Sequence, residues 1–270
     1  MTLLIIAELL ALGLVAGFLA GLLGIGGGML LVPFLTIILS QLGVAAGLAV
    51  KMAIATSMAT ILFTSLSSVR AHHAHGAVRW PLVRGMAPGI VAGGLAAGAG
   101  VFALVKGQAL ALVFSLFVGF SATQMLLDRR PTPSRQMPGL AGQAAVGGGI
   151  GFLSGLVGAG GGFISVPFMA WCNVPIHQAV ATSAALGFPI ALANTAGYII
   201  GGWGYAGTPP GSFGFLYLPA LVVIASASML MAPRGARTAH AMNVRQLKRV
   251  FAVLLFGLAA YMGSKGLGWV

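Results

Sequence analysis

Acidic side chains are almost missing from this sequence: Glu8 and Asp128 are the two among 270 residues. Charge of either sign is scarce, at 6% of residues against roughly a quarter in a soluble domain. A soluble fold needs a polar shell, and this chain has nothing to build one from. Cation and metal sites want carboxylate, thiolate or imidazole ligands, and long stretches of the chain offer none. A single cysteine, Cys172, excludes an internal disulfide and a cysteine-based zinc site. The low hydrophobicity that marks disorder is absent as well.

What is present is apolar. Hydrophobic residues make up 59% of the chain, and glycine alone contributes 42. Stretches near 3–23, 50–69, 85–105, 107–127, 139–157, 179–201, 214–232 and 250–268 approach the length of about 20 residues that crosses a bilayer. Two shorter ones, near 29–40 and 163–173, follow glycine runs directly. The composition predicts an all-α polytopic membrane protein of a cell membrane, with the lipid bilayer as its surroundings. Stretch 3–23 has no basic start and is long enough to span, so it reads as a span rather than a removed leader. The net charge of +12 lies in short clusters between apolar runs, where it faces headgroups or cytoplasm rather than nucleic acid. No cofactor is called for.

The chain repeats itself. GLLGIGGGMLLVPF at 21–34 returns as GLVGAGGGFISVPF at 155–168, with nine of 14 positions identical. Ala55-Thr56-Ser57 then returns as Ala181-Thr182-Ser183. Two halves follow, 1–128 and 139–270, joined by a polar, proline-broken linker at 129–138. Lys and Arg in short loops favour the cytoplasm, and this bias decides orientation. If each glycine-run segment crosses once, the basic residues split evenly, 7 against 7. If each goes in and comes back, the loops at 70–84, 129–135 and 234–249 share one side with 11 of them, leaving Lys51, Lys106 and Lys265 opposite. The second arrangement predicts two inverted repeats, each a glycine-broken helical hairpin plus three transmembrane helices. Both termini are then extracytoplasmic. Full crossing and re-entry of the hairpins both remain open.

Gly26-Gly27-Gly28 and Gly160-Gly161-Gly162 interrupt apolar helices. A helix broken in lipid leaves backbone groups unpaired, so the break needs protein, water or ligand to satisfy them. The helix that restarts presents N–H groups with partial positive charge, a site for an anion that needs no charged side chain. Close helix packing through small residues is the competing account. Pro33 and Pro167, five residues on, fit a fresh helix start. Thr56, Ser57, Thr182 and Ser183 offer hydroxyls to complete an anion's shell, or bond helix to helix instead. Thr60 and Thr64 continue the same face and read as bonds to the preceding turn.

The duplicated G-x-G-G-G-x-x-x-V-P block, each copy followed by A-T-S, resembles the sulfite exporter TauE/SafE family over essentially the whole chain. The resemblance implies transport, in the export direction, of small sulfur-containing oxyanions such as sulfite or short sulfonates. It places the signature on Gly26, Gly27, Gly28, Pro33, Thr56 and Ser57, and on Gly160, Gly161, Gly162, Pro167, Thr182 and Ser183. Another small anion, such as a carboxylate, is the alternative cargo.

Four residues form a second tier. Lys51 either draws anions to an outer mouth or snorkels at the interface; its counterpart 126 residues on is His177. Asn194 falls where the first half has Ser68. Glu8 couples to a proton or sits near the interface. His72, His73 and His75 lie in an arginine-rich loop and read as basic loop residues rather than metal ligands. An intramembrane enzyme fares poorly. Phe152-Leu153-Ser154-Gly155 is the nearest approach to a serine-nucleophile motif, and His177 sits at a segment end.

Overall fold

A computed structural model describes residues 2–23, 27–74, 76–127, 134–239 and 244–269. Ten helices carry the chain there, five from each half. In the first half they are α1 (Leu3–Leu23), α2 (Gly28–Gln41), α3 (Ala46–Ala74), α4 (Trp80–Leu104) and α5 (Gly107–Leu127). In the second they are α6 (Leu140–Val157), α7 (Gly162–Trp171), α8 (Ile176–Gly201), α9 (Leu218–Ala239) and α10 (Val244–Leu267). Eight are long and apolar enough to cross a membrane; α2 and α7 are the shorter pair. At 1.5 Å per residue α2 spans about 21 Å and α7 about 15 Å, short of a hydrocarbon core of about 30 Å. The fold is thus all-α and multi-pass.

The helices exchange partners between halves. The first helix of each half packs along the fourth of the other, α1 on α9 and α6 on α4. The third helices pack on each other, as do the fifth. Swapping the two halves leaves this pairing unchanged.

Glycine makes the exchanged pairs close. Gly13, Gly17 and Gly21 line one face of α1 at four-residue spacing, and Gly147, Gly151 and Gly155 line α6 134 positions later. A Cβ on Gly17 would sit 2.5 Å from Ser228 Cα on α9. Cβ atoms on Gly147 and Gly151 would meet the Met86 and Ile90 carbonyls of α4. Lipid tails are as apolar as leucine, so close backbone packing is what holds such helices together. Ser228 Oγ adds a 2.9 Å bond to the Gly13 carbonyl. Helix α4 carries a π turn at Ala96–Val101, where it lies against α8.

The core helix is α3, buried at every position from 48 to 61. It runs antiparallel to α8. Near its start Lys51 lies over the rings of Tyr205 and Phe215, just past the end of α8. Farther along, Ser65 Cβ would be 3.4 Å from a Cβ on Gly187, inside α8.

Between α8 and α9 the chain departs from the sequence expectation. Residues 214–217, read as the start of an apolar span, instead form a hairpin of β1 (Ser212–Phe213) and β2 (Leu216–Tyr217), and α9 starts at Leu218. Gly214, at φ 60°, supplies a turn that few other residues adopt. Phe215 is fully buried against Phe102, and its N–H bonds to the Tyr198 carbonyl.

Candidate functional site

The helix restarts where the glycine runs predict, at Gly28 and at Gly162. Neither start has a side-chain cap. At α7, the Ile164 and Ser165 N–H groups turn back to the Gly161 carbonyl; at α2, those of Leu30 and Leu31 turn to Gly27. The donors ahead of them have no partner within an ideal helix. Pro33 and Pro167 are the sixth residues of their helices, in the second turn rather than at the first position. The fresh start is therefore made by the glycines, not by proline.

The second break uses glycine's freedom twice. Gly158 ends α6 at φ 73° with its N–H on the Ser154 carbonyl, and Gly161 opens α7 at φ 73°. Other L-residues rarely adopt that region. The two ends of this hairpin then meet on one side. The Ser134 and Arg135 N–H groups, just before α6, bond to the Trp171 carbonyl at the end of α7, each at 3.2 Å. Trp171 Nε1 donates to Ser134 Oγ at 2.7 Å.

The two breaks touch. A Cβ on Gly28 would lie 2.5 Å from the Gly158 carbonyl oxygen. Ser57 Oγ stands within 3.2 Å of the Gly28 carbonyl and 3.5 Å of the Gly158 carbonyl, so its one proton joins first break to second. Ser183 occupies the matching place, 3.5 Å from a Cβ on Gly162, and its Oγ pairs with Ser165 Oγ at 2.7 Å. Each uncapped helix start thus lies beside a buried hydroxyl, Ser57 at α2 and Ser183 at α7.

The threonines do something else. Thr56 Oγ1 accepts the Tyr217 N–H at 3.0 Å, at the head of α9. Thr182 Oγ1 accepts the Arg79 N–H at 3.0 Å, at the head of α4. Each threonine anchors the start of the other half's fourth helix. The Thr-Ser pair, read as one unit in sequence, divides between two tasks. Thr60 and Thr64 bond back to their own helix, as the sequence indicated.

The second tier scatters. Lys51 is 5% exposed; its Nζ donates to the Ala103 carbonyl at 2.8 Å, in the last turn of α4. It also lines an open cavity of about 540 Å³ with Lys106, Gln108 and Tyr205. Its counterpart His177 is exposed at the start of α8. Asn194 joins helices: its Nδ2 donates to the carbonyls of Gly151 on α6 and Ile190 on its own helix. Glu8 is half-buried near the start of α1, about 22 Å along the helix from its broken end. Trp80 Nε1 donates to His73 Nδ1 at 3.2 Å. Gly26, His75 and Asp128 lie outside the described residues.

Sequence reading missed the glycine zippers, and it met Ser154 only as part of a poor serine-nucleophile motif. The zippers were legible, because the 134-residue repeat carries Gly13, Gly17 and Gly21 onto Gly147, Gly151 and Gly155. Ser154 has no such signal, since Ala20 occupies its place in the first half.

The comparisons with known proteins agree on a class. The family model described as Sulfite exporter TauE/SafE matches residues 9–262. A probable membrane transporter protein of Haemophilus influenzae is 36% identical over 262 residues, covering 95% of this chain and 97% of that protein. One of Methanocaldococcus jannaschii is 27% identical and covers 96% of both chains. A third, YunE of Bacillus subtilis, is 32% identical over 73% of this chain and 81% of its own. No solved structure matches.

Proposed function

The chain belongs to the sulfite exporter TauE/SafE family of membrane transporters, and from that premise we propose that it exports small sulfur-containing oxyanions, sulfite or a short sulfonate. One observation carries the reading: the two breaks, each followed by a helix start without a side-chain cap, meet where Ser57 spans from the Gly28 carbonyl to the Gly158 carbonyl. Each start carries roughly half a positive charge. Both acids of the chain lie elsewhere in sequence, Glu8 near the start of α1 and Asp128 beyond α5. The site then binds through Gly26, Gly27, Gly28 and Ser57 from one side and Gly160, Gly161, Gly162 and Ser183 from the other. Thr56 and Thr182 act behind them, by fixing the heads of α9 and α4. A pyramidal or tetrahedral head group offers acceptors to both halves at once, where a carboxylate has two oxygens.

The halves are inverted in this reading and the termini extracytoplasmic. The exchanged pairing, the antiparallel α3 and α8, and the hairpin that returns to its own side support it. Outward movement of one negative charge gains about 2.3 kcal/mol per 100 mV, so export proceeds without a coupled ion.

Counterflow in proteoliposomes against a panel of sulfite, short sulfonates, carboxylates and divalent metals tests the cargo. Exchange of the sulfur anions is expected. Uptake of metals with no response to any sulfur anion overturns the reading. A reporter fluorescent only in the cytoplasm, fused after Val270, should stay dark; strong signal overturns the inverted arrangement.

A further inference from the structure

The hydroxyl of Ser154 has no hydrogen-bond partner although the residue is 1% exposed. A buried polar group left unpaired costs about 1–3 kcal/mol, so native structures seldom leave one without reason. Its surroundings supply the reason. Ser154 Oγ would lie 3.3 Å from a Cβ on Gly161, the residue that opens α7. It is aimed across the break at the uncapped start of a ten-residue helix.

One residue on, Ser183 Oγ would lie 3.5 Å from a Cβ on Gly162, and Ser165 is its partner. Their oxygens share one hydrogen bond at 2.7 Å, so one hydroxyl proton of the pair is left over. The second break therefore gathers the backbone donors of α7, the proton of Ser154 and one from the Ser165–Ser183 pair. These are donors without acceptors, which is what a desolvated oxyanion requires.

Among the described residues, the first break lacks this set. Ala20 stands where the second half has Ser154, and Leu31 where it has Ser165. The space beside Gly27 is lined by Leu19, Ala20, Met29, Leu30, Phe163 and Phe251, all apolar. Ser57 turns its proton to backbone carbonyls.

We infer that the two breaks are not equal partners: the oxyanion is held at the α7 start, with Ser154 as a side-chain donor to it, while the α2 start forms an apolar wall. This rests on the transport reading above and narrows its site: it adds Ser154 and Ser165 and moves Gly26, Gly27, Gly28 and Ser57 from the anion's shell to the wall that faces it. The ligand class is an oxyanion with at least three acceptor oxygens, since the donors come from α6, α7 and α8.

The test compares full-length S154A, S154T and S57A in proteoliposomes, with sulfite and ethanesulfonate as probes. A hydrogen bond to a charged group contributes about 1.5–3 kcal/mol, so S154A should raise the half-saturating concentration about tenfold or more. S154T keeps the hydroxyl and should stay within about threefold of the unaltered protein. S154A should keep its thermal midpoint without ligand, because it breaks no bond in the protein, and lose most of the upward shift that sulfite gives the unaltered chain. A half-saturation unchanged in S154A, or raised equally in S57A and S154A, overturns the inference and leaves the transport reading standing. Failure of the unaltered protein both to exchange and to be stabilised by either probe overturns the two together.

Discussion

The two glycine breaks share a sequence block and differ in what surrounds them. Gly161 sits at φ 73° among Ser154, Ile150 and Ile190; Gly27 sits at φ −37° against the Ala16 carbonyl. One uses the left-handed backbone region open to glycine and has the Ser154 hydroxyl beside it; at the other the described Gly27 keeps a negative φ. A duplicated motif fixes where a helix stops. What the stop can bind, in the reading proposed above, turns on positions where the copies differ, Ser154 beside the block and Ser165 within it.

The largest expected effect is steric. Gly161→Leu should reduce transport to background while the protein still inserts, because a side chain there meets Ile190 Cδ1 at 2.6 Å in a backbone region leucine avoids. Insertion is read by surface labelling and transport by counterflow. Survival of transport would show the glycine runs to be packing devices. A finer version uses alanine. Gly161→Ala adds left-handed strain of about 1–2 kcal/mol beside the Ser154 hydroxyl, whereas Gly27→Ala sets a Cβ 2.9 Å from the Ala16 carbonyl oxygen, so both should lower the unfolding midpoint and the first should raise half-saturation more. Equal rises would erase the contrast between the breaks.

Thr56→Val and Thr182→Val should behave as twins. Each removes the acceptor for one N–H at the head of a fourth helix, a loss of about 1 kcal/mol. Both should lower the unfolding midpoint in detergent by similar amounts and leave half-saturation within about twofold. A rise in half-saturation confined to these variants would return the threonines to the anion's shell.

The smallest contrast is between the basic counterparts. Lys51→Gln should raise half-saturation a few-fold with weak dependence on salt, since a charge 5% exposed is screened far less than one in open water. It should also destabilise, because the Ala103 carbonyl loses its partner. His177→Gln, at an exposed position, should change neither.

Much of this was legible in sequence, unevenly. Helix lengths follow from hydropathy, because a bilayer leaves few alternatives, and the eight long and two short stretches stand as helices. The β1–β2 hairpin was hidden because Phe213, Phe215, Leu216 and Tyr217 are as apolar as a span; Phe215, Leu216 and Tyr217 are buried, with Phe215 against Phe102 and Tyr205, while Phe213 stays exposed beside Trp203. Lys51 was read as an interfacial residue or an anion lure. Its bond to a carbonyl 52 residues away depends on how α3 meets α4, which no local pattern encodes. The split of Thr56 from Ser57 is of the same kind: adjacent residues on a helix point about 100° apart and so meet different neighbours.

The exchanged pairing also sets a timetable. Helix α1 finds its glycine-lined groove filled by α9, whose first residue is synthesised about 200 residues later, some tens of seconds at about 5–20 residues per second. Through that interval α1 waits in the bilayer with Gly13, Gly17 and Gly21 facing lipid, and α4 waits likewise for α6, though more briefly. Neither half holds the partners of its own first and fourth helices. Two genes cut within the 129–138 linker should therefore make fragments that are degraded when expressed singly and assemble when expressed together.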